Sequence, residues 1–94
     1  GHGDTSVDSH LDLPTVDKDV PELRHCELVP FAAAVRAGVG SIMSAHVVFP
    51  AWDEAWPATL SEKVLPRLLR DELAYDGLVF SDDMEMKAVF GRYE

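Results

Sequence analysis

The sequence predicts an α/β fold, and more specifically a fragment of a (β/α)8 TIM barrel. Short apolar strands alternate with amphipathic helical patterns, which is typical of βαβ units and a parallel sheet. Two strands with one crossover do not complete such a domain. A (β/α)8 barrel takes about 250 residues, and the chain has 94. We therefore expect residues 1–94 to be a partial barrel domain made of its later β/α units.

The first part of the chain predicts a long irregular segment followed by one helix. Residues 1–26 are rich in Gly, Asp, Ser, Pro and His and predict a largely irregular segment. Residues 27–37 predict a helix, because apolar side chains recur there at helical spacing. These side chains are Leu28, Phe31, Ala32 and Val35. Pro30 fits the first turn, and Gly38 and Gly40 end the helix.

The middle of the chain predicts a strand, a loop and a second helix. Residues 41–49 are mostly apolar, as expected of a buried parallel strand, and residues 50–60 predict a Pro- and Trp-rich loop. Residues 61–74 predict a helix. Its apolar side consists of Leu65, Leu68, Leu69 and Leu73. Ser61 is a candidate N-cap, and Pro66 indicates that the regular helix begins near that residue.

Composition limits the classes of function. The net charge of −9 argues against binding to nucleic acid or to an anionic membrane surface. A single cysteine, Cys26, excludes an internal disulfide. No apolar run reaches about 18 residues, the length of a transmembrane helix. The chain begins with Gly1 rather than Met, so we expect the natural start to lie upstream, and we expect a cytoplasmic location.

The segment from Gly1 to His10 contains two histidines and two aspartates. In a loop, Asp8 can fold back to accept the ring N–H of His10, which fixes the tautomer and stabilises the imidazolium. A histidine held in this way can donate a proton and later take one back. A solvated turn, whose Asp and Ser side chains bond the backbone, is the alternative interpretation.

The same segment also permits a metal site. His2, Asp4, Asp8 and His10 are all possible ligands. Their spacing matches no strong metal signature such as His-Glu-x-x-His. A metal-dependent hydrolase is therefore an alternative from a different class, and we expect no bound metal and no cofactor.

A second group of candidate residues follows the strand predicted over 78–81. Strand side chains alternate between faces, so if Leu78 and Phe80 point into the barrel, Asp82 does as well. Asp82 then lies at the carboxyl end of its strand, which is the catalytic face of such barrels. Asp83 falls instead at the start of the next predicted helix, where a negative charge is favourable.

Four further side chains are candidate ligand contacts. His46, within the first strand, could line the same mouth of the barrel, and a hydrogen-bonded core histidine is an equally good interpretation. Met84 could contact a ligand, although apolar packing explains it as well. Trp52 and Trp56, in the following loop, could flank a ligand or close the loop.

Four stretches of this sequence resemble, in the same order, segments of the bacterial β-N-acetylglucosaminidases of glycoside hydrolase family 3, the NagZ type. They are residues 1–10 with Leu13-Pro14, residues 42–47, residues 57–61 and residues 77–84. The match extends over nearly the whole chain. The combination of Asp-Ser-His in the first stretch with Ser-Asp-Asp in the last is specific, whereas either alone is not.

The resemblance implies a retaining enzyme that removes terminal β-linked N-acetylglucosamine from chito-oligosaccharides or from peptidoglycan fragments, as in peptidoglycan recycling. It implies that Asp82 attacks the anomeric carbon. It implies that His10, paired with Asp8, protonates the leaving oxygen and then activates water. We further expect His2, His46 and Met84 to contact the sugar.

The family's Lys-His-Phe-Pro, which usually precedes Gly-His-Gly, does not occur in this sequence, so we expect only part of the sugar site here. We expect the missing part of the barrel as a partner and no activity from residues 1–94 alone, because a barrel segment has open edges and exposed apolar faces. A β-N-acetylglucosaminide phosphorylase of the same fold, with phosphate in place of water, is a second alternative. A non-catalytic segment that completes another chain's barrel is a third.

Overall fold

A computed structural model of the chain describes residues 3–90 and residue 92. Its elements are α1 (Val20–His25), α2 (Leu28–Arg36), β1 (Ser41–Ser44), a 3-10 turn (Ala58–Leu60), a π-helix (Lys63–Glu72) and β2 (Leu78–Ser81). β1 and β2 pair in parallel, with Ser41 opposite Leu78 and Ser44 opposite Ser81. The predicted α/β class with a parallel sheet is therefore confirmed. Among these residues no helix combines the length and the apolar character needed to cross a membrane.

A capped helix lies within the segment that the sequence predicts to be irregular. Asp19 Oδ1 accepts a hydrogen bond from the Glu22 N–H at 2.9 Å, and Glu22 Oε1 accepts one from the Asp19 N–H at 3.3 Å. This reciprocal capping box satisfies two donors that a helix start otherwise leaves unpaired. The prediction is therefore wrong for Val20–His25, and Leu23 of this helix is fully buried.

α2 confirms the helix predicted over residues 27–37, with slightly shorter ends. The four side chains predicted to share a face are all partly buried, whereas Val29, Ala33 and Arg36 are exposed. Gly38 follows the helix with φ +79°, a left-handed conformation that glycine adopts without a steric penalty.

The strand predicted over residues 41–49 stops pairing with β2 at Ser44, so its predicted length is wrong. The chain stays buried beyond that point but changes partner. The Val48 N–H donates to the Pro14 carbonyl, and the Val48 carbonyl accepts from the Val16 N–H, both at 2.9 Å. Ala45 and Val47 of this segment form the core cluster of buried residues together with Val16 and Leu23.

The helix predicted over residues 61–74 is a π-helix over Lys63–Glu72, with Pro66 in its first turn. The prediction that it begins near Pro66 is wrong. Its hydrogen bonds span five residues, as from the Leu73 N–H to the Leu68 carbonyl at 2.9 Å. A π-helix therefore leaves one more N–H unpaired at its start than an α-helix does. Pro66 has no N–H, so this wider turn loses no hydrogen bond there.

Ser61 confirms its predicted capping role. Its Oγ accepts from the N–H groups of Lys63 and Val64 at 3.1 and 3.2 Å, and its hydroxyl donates to Asp53 Oδ2 at 2.7 Å. The predicted apolar side of the helix is also confirmed, because its four leucines line one apolar cavity of about 320 Å³ with residues of α2 and β1.

The helix predicted from Asp83 onward is wrong for the described residues, which form consecutive turns up to Phe90. The Ala88 N–H donates to the carbonyl of Ser9 at 3.2 Å. In a helix this N–H would bond to the carbonyl four residues earlier in the chain. The distant bond therefore replaces a helical one.

Candidate active site

The turn that contains Asp8 and His10 forms the side-chain pair that the sequence predicts. Asp8 Oδ1 accepts from the backbone N–H of His10 at 2.9 Å and lies 2.8 Å from the His10 Nδ1. The Asp8 carbonyl accepts from the N–H groups of Leu11 and Asp12, which closes the turn. A carboxylate only accepts, so Nδ1 carries the shared proton, and this bond leaves Nε2 for a substrate.

The charge around His10 favours its protonated form. The pKa of His10 lies above its usual value, first because its ring bonds to the Asp8 carboxylate and then because that carboxylate is negative. The charges of Asp82 and Asp83 act in the same direction. The His10 and Asp8 side chains are 70% and 58% exposed, so a ligand can reach them. His10 is therefore accessible, and its contact with Asp8 favours the protonated form of the ring.

The turn is attached to the segment that follows β2. Ser9, between the paired residues, is fully buried, and its carbonyl accepts the Ala88 N–H. Asp12 forms an ion pair with Arg92. The turn that contains His10 and the end of β2 are thus held together, although about 70 residues separate them along the chain.

Asp82 and Asp83 differ in burial, although Asp83 does not begin the helix that the sequence predicts. Asp82 is half-buried, its N–H donates to the Ser44 carbonyl at 3.3 Å, and its Oδ1 accepts the Asp83 N–H at 2.8 Å. Asp83 is exposed, and its Oδ1 accepts the Glu85 N–H at 2.8 Å. Each aspartate thus gives one carboxylate oxygen, Oδ1, to a backbone N–H of the local turn, and the two side chains differ in their exposure.

His46 occupies the core rather than an open mouth. Its side chain is fully buried, Nδ1 lies 2.9 Å from Thr59 Oγ1, and Nε2 lies 2.8 Å from the Asp83 carbonyl oxygen. Both ring nitrogens thus have protein partners. Of the two interpretations of the sequence, the structure matches the hydrogen-bonded core histidine, and no ring nitrogen is left to contact a sugar.

Met84 and Trp56 line a common cavity of about 600 Å³, together with Asp53, Leu60 and Lys63. Both side chains are nearly half exposed, so Met84 is placed to contact a ligand. Trp52 instead packs against Phe49, with ring centroids 5.5 Å apart, and closes the loop. The predicted sugar contact His2 lies outside the described residues.

The proposed metal ligands do not converge in the part of the chain that the structure describes. No group of three or more His, Cys, Asp or Glu side chains is arranged there to hold a metal ion. Asp8 is paired with His10, and Asp4 lies 3.7 Å from the Lys18 ammonium. The metal-dependent alternative is therefore not favoured.

Two residues of this site were missed by sequence reasoning. The Thr59 hydroxyl contacts Ser44 and Ala45 at the end of β1, and its only signal in the sequence is its place within residues 57–61, one of the stretches that carry the family resemblance. Ser9 acts through its backbone carbonyl, a role that no side-chain pattern reveals.

Comparison with known proteins gives consistent results. The model of the glycosyl hydrolase family 3 N terminal domain matches residues 1–94. Beta-hexosaminidase A of Pseudoalteromonas piscicida is 40% identical over 101 residues, covering 95% of this chain and 17% of that protein. The chain thus spans about a fifth of the length of such relatives.

Two solved structures are similar in fold. A glycoside hydrolase family 3 beta-N-acetylglucosaminidase from Paenibacillus sp. str. FPU-7 has a TM-score of 0.96 and 51% identity, covering 99% of this chain and 18% of that one. NagZ from Neisseria gonorrhoeae in complex with N-trifluoroacetyl-D-glucosamine has a TM-score of 0.82 and 42% identity, covering 89% of this chain and 24% of that one. The chain therefore belongs to glycosyl hydrolase family 3, whose N-terminal domain it matches over residues 1–94.

Proposed function

We propose that this chain is part of the catalytic (β/α)8 barrel of a retaining exo-β-N-acetylglucosaminidase. The observation that supports this most strongly is the Asp8–His10 pair, which is attached to the segment after β2. The negative charge of Asp82, at the end of that strand, contributes to the raised pKa of His10. The arrangement offers a proton donor with a raised pKa and a separate carboxylate nucleophile. Retaining glycoside hydrolysis needs both groups.

The proposed reaction has two steps. In the first, Asp82 Oδ2 bonds to the anomeric carbon while the glycosidic bond breaks, and the His10 imidazolium gives its Nε2 proton to the leaving oxygen. In the second, neutral His10 takes a proton from water, the water oxygen bonds to the anomeric carbon, and the ester bond to Asp82 breaks. Asp8 stabilises the imidazolium and holds the ring throughout.

The proposed substrate is a saccharide with a terminal β-linked N-acetylglucosamine. The Neisseria NagZ bound to N-trifluoroacetyl-D-glucosamine and the Paenibacillus enzyme, both more than 40% identical to this chain, support this sugar. Peptidoglycan fragments and chito-oligosaccharides both contain it. The cavity lined by Met84 and Trp56 is our candidate for the aglycone position, since exposed aromatic side chains stack well on sugar rings.

The remainder of the barrel is proposed to come from residues outside these 94. In the described part of the chain the sheet has two strands, and Met43, Leu78 and Phe80 are 47%, 65% and 47% exposed. An uncovered apolar sheet of this kind needs further strands or helices to bury it. We accordingly expect residues 1–94 alone to show no turnover of a chromogenic β-N-acetylglucosaminide.

The test of the proposed function uses the full-length protein and a β-N-acetylglucosaminide followed by proton NMR. We expect the first sugar released to be the β-anomer, as two displacements at one carbon require. First release of the α-anomer, or no turnover, would contradict the proposal. Parallel reactions with inorganic phosphate distinguish the phosphorylase alternative, because that enzyme forms a sugar 1-phosphate.

The Asp8–His10 pair leads to a pH-dependence prediction. Since Asp8 raises the pKa of His10, the protonated acid persists to higher pH than in an isolated histidine. Asp8→Asn removes that charge, so the pKa of His10 should fall and the alkaline limb of kcat/KM should move to lower pH. Asp4→Asn, a neutralisation in the same loop, is the control and should leave the limb in place. Equal shifts in both variants would refute the pairing role.

A further inference from the structure

We propose that His46 is a positioning residue, which holds the end of β2 so that the Asp82 carboxylate faces the anomeric carbon. This inference rests on the proposed function, because it concerns the residue assigned there as nucleophile. It differs from the sequence prediction, in which His46 contacts the sugar itself.

Both nitrogens of the His46 imidazole lie within hydrogen-bonding distance of protein oxygens. Nε2 lies 2.8 Å from the Asp83 carbonyl oxygen, which can only accept, so Nε2 carries the proton and donates. Nδ1 lies 2.9 Å from the Thr59 hydroxyl oxygen, so both ring nitrogens have a hydrogen-bond partner. The ring is fully buried, so water does not compete for either bond.

Thr59 connects this histidine to the end of β1. Its Oγ1 accepts from the Ser44 hydroxyl at 3.1 Å and lies within donating distance of the Ala45 carbonyl, at 3.0 Å. The Thr59 hydroxyl therefore links the His46 ring to both Ser44 and Ala45. This network joins the end of β1, the 3-10 turn and the residue after Asp82.

The contacts of Asp82 show why this network bears on its carboxylate. The parallel pairing ends at Ser81, and beyond it the Asp82 N–H still bonds to the Ser44 carbonyl. Asp82 Oδ1 accepts the Asp83 N–H, so the Asp83 backbone sets the direction of that carboxylate. His46 holds the carbonyl of this same Asp83. Loss of the Nε2 bond frees Asp83 to rotate, and Asp82 Oδ2 then moves with it.

Two matched substitutions test the role in the full-length protein. In His46→Gln, the side-chain amide can still donate near the position of Nε2, whereas in His46→Asn the shorter amide reaches Thr59 but not Asp83. We expect His46→Asn to lower kcat about 100-fold, the effect of displacing a reacting group by about 1 Å, with KM little changed. His46→Gln should recover most of the loss.

Each other outcome overturns the inference. A rise in KM with unchanged kcat would mean that His46 contacts the sugar. Equal kcat values for the two variants would mean that the Asp83 bond is unimportant. If His46→Asn does not fold, Thr59→Val and Thr59→Ser decide instead, since only the serine keeps the hydroxyl; similar kcat in both would contradict the network. An unchanged kcat in the Asp82→Ala variant would instead refute the proposed function.

Discussion

Asp82→Ala in the full-length protein is expected to lower kcat for a β-N-acetylglucosaminide by about 10⁴-fold or more, the range seen when a nucleophile is removed. The methyl group cannot form the glycosyl ester, and the neighbouring Asp83 is exposed with its Oδ1 bonded to the Glu85 N–H. This loss is measured by comparing the steady-state turnover of the variant with that of the wild type, on which the active-site concentration is determined.

The matched control for this substitution is Asp83→Asn. It changes the neighbouring carboxylate, while the amide oxygen can still accept the Glu85 N–H. We expect its kcat to stay within about tenfold of the wild type, since this residue supports a turn and, through its charge, only adds to the raised pKa of His10. The assignment of the nucleophile would be reversed if Asp83→Asn were the inactive variant and Asp82→Ala the active one.

His10→Ala is expected to lower kcat/KM about 10²- to 10⁴-fold for a substrate whose leaving group needs protonation. The loss should be smaller in the first step for an activated aryl glycoside, because such a leaving group departs without a proton. Added azide should then restore turnover and form the β-glycosyl azide, since azide attacks the glycosyl-enzyme without a general base. Rate measurements over a series of leaving groups check this result.

His25→Ala is the control for the loss of a histidine. His25 is exposed, and its Nδ1 lies 2.7 Å from the Pro21 carbonyl within α1, so we expect little change in any rate. If His10→Ala lost the same activity with every leaving group and azide had no effect, the acid/base role would be refuted.

Local patterns predicted those parts of the fold that depend on neighbours in sequence. The apolar face of α2 and the Ser61 cap are examples, and the Asp19-x-x-Glu22 capping box was a readable signal for α1 that composition obscured. Other features depend on distant contacts. The turns after Asp83 depend on the Ser9 carbonyl, and the end of β1 depends on where β2 stops, so helical or strand periodicity could not reveal either.

The candidate site divides in the same way. The Asp8–His10 pair is a local product of a two-residue spacing, whereas the choice of Asp82 over Asp83 as the inward-facing residue stays a prediction from strand alternation. His46 left two interpretations open because its partners, Thr59 and Asp83, lie 13 and 37 residues away. A buried histidine and an exposed one have the same appearance in sequence until those partners are known.

The covalent step is the central claim, and mass spectrometry of a trapped intermediate tests it most directly. A fluorinated N-acetylglucosaminyl substrate that slows the second step should leave one sugar on the full-length protein. Trypsin cleaves after Arg70 and Lys87, so the label should lie in the peptide of residues 71–87 and map to Asp82. A protein that turns over the substrate but stays unlabelled, as in a substrate-assisted reaction, would contradict the account. A sugar attached to any other residue would contradict it as well.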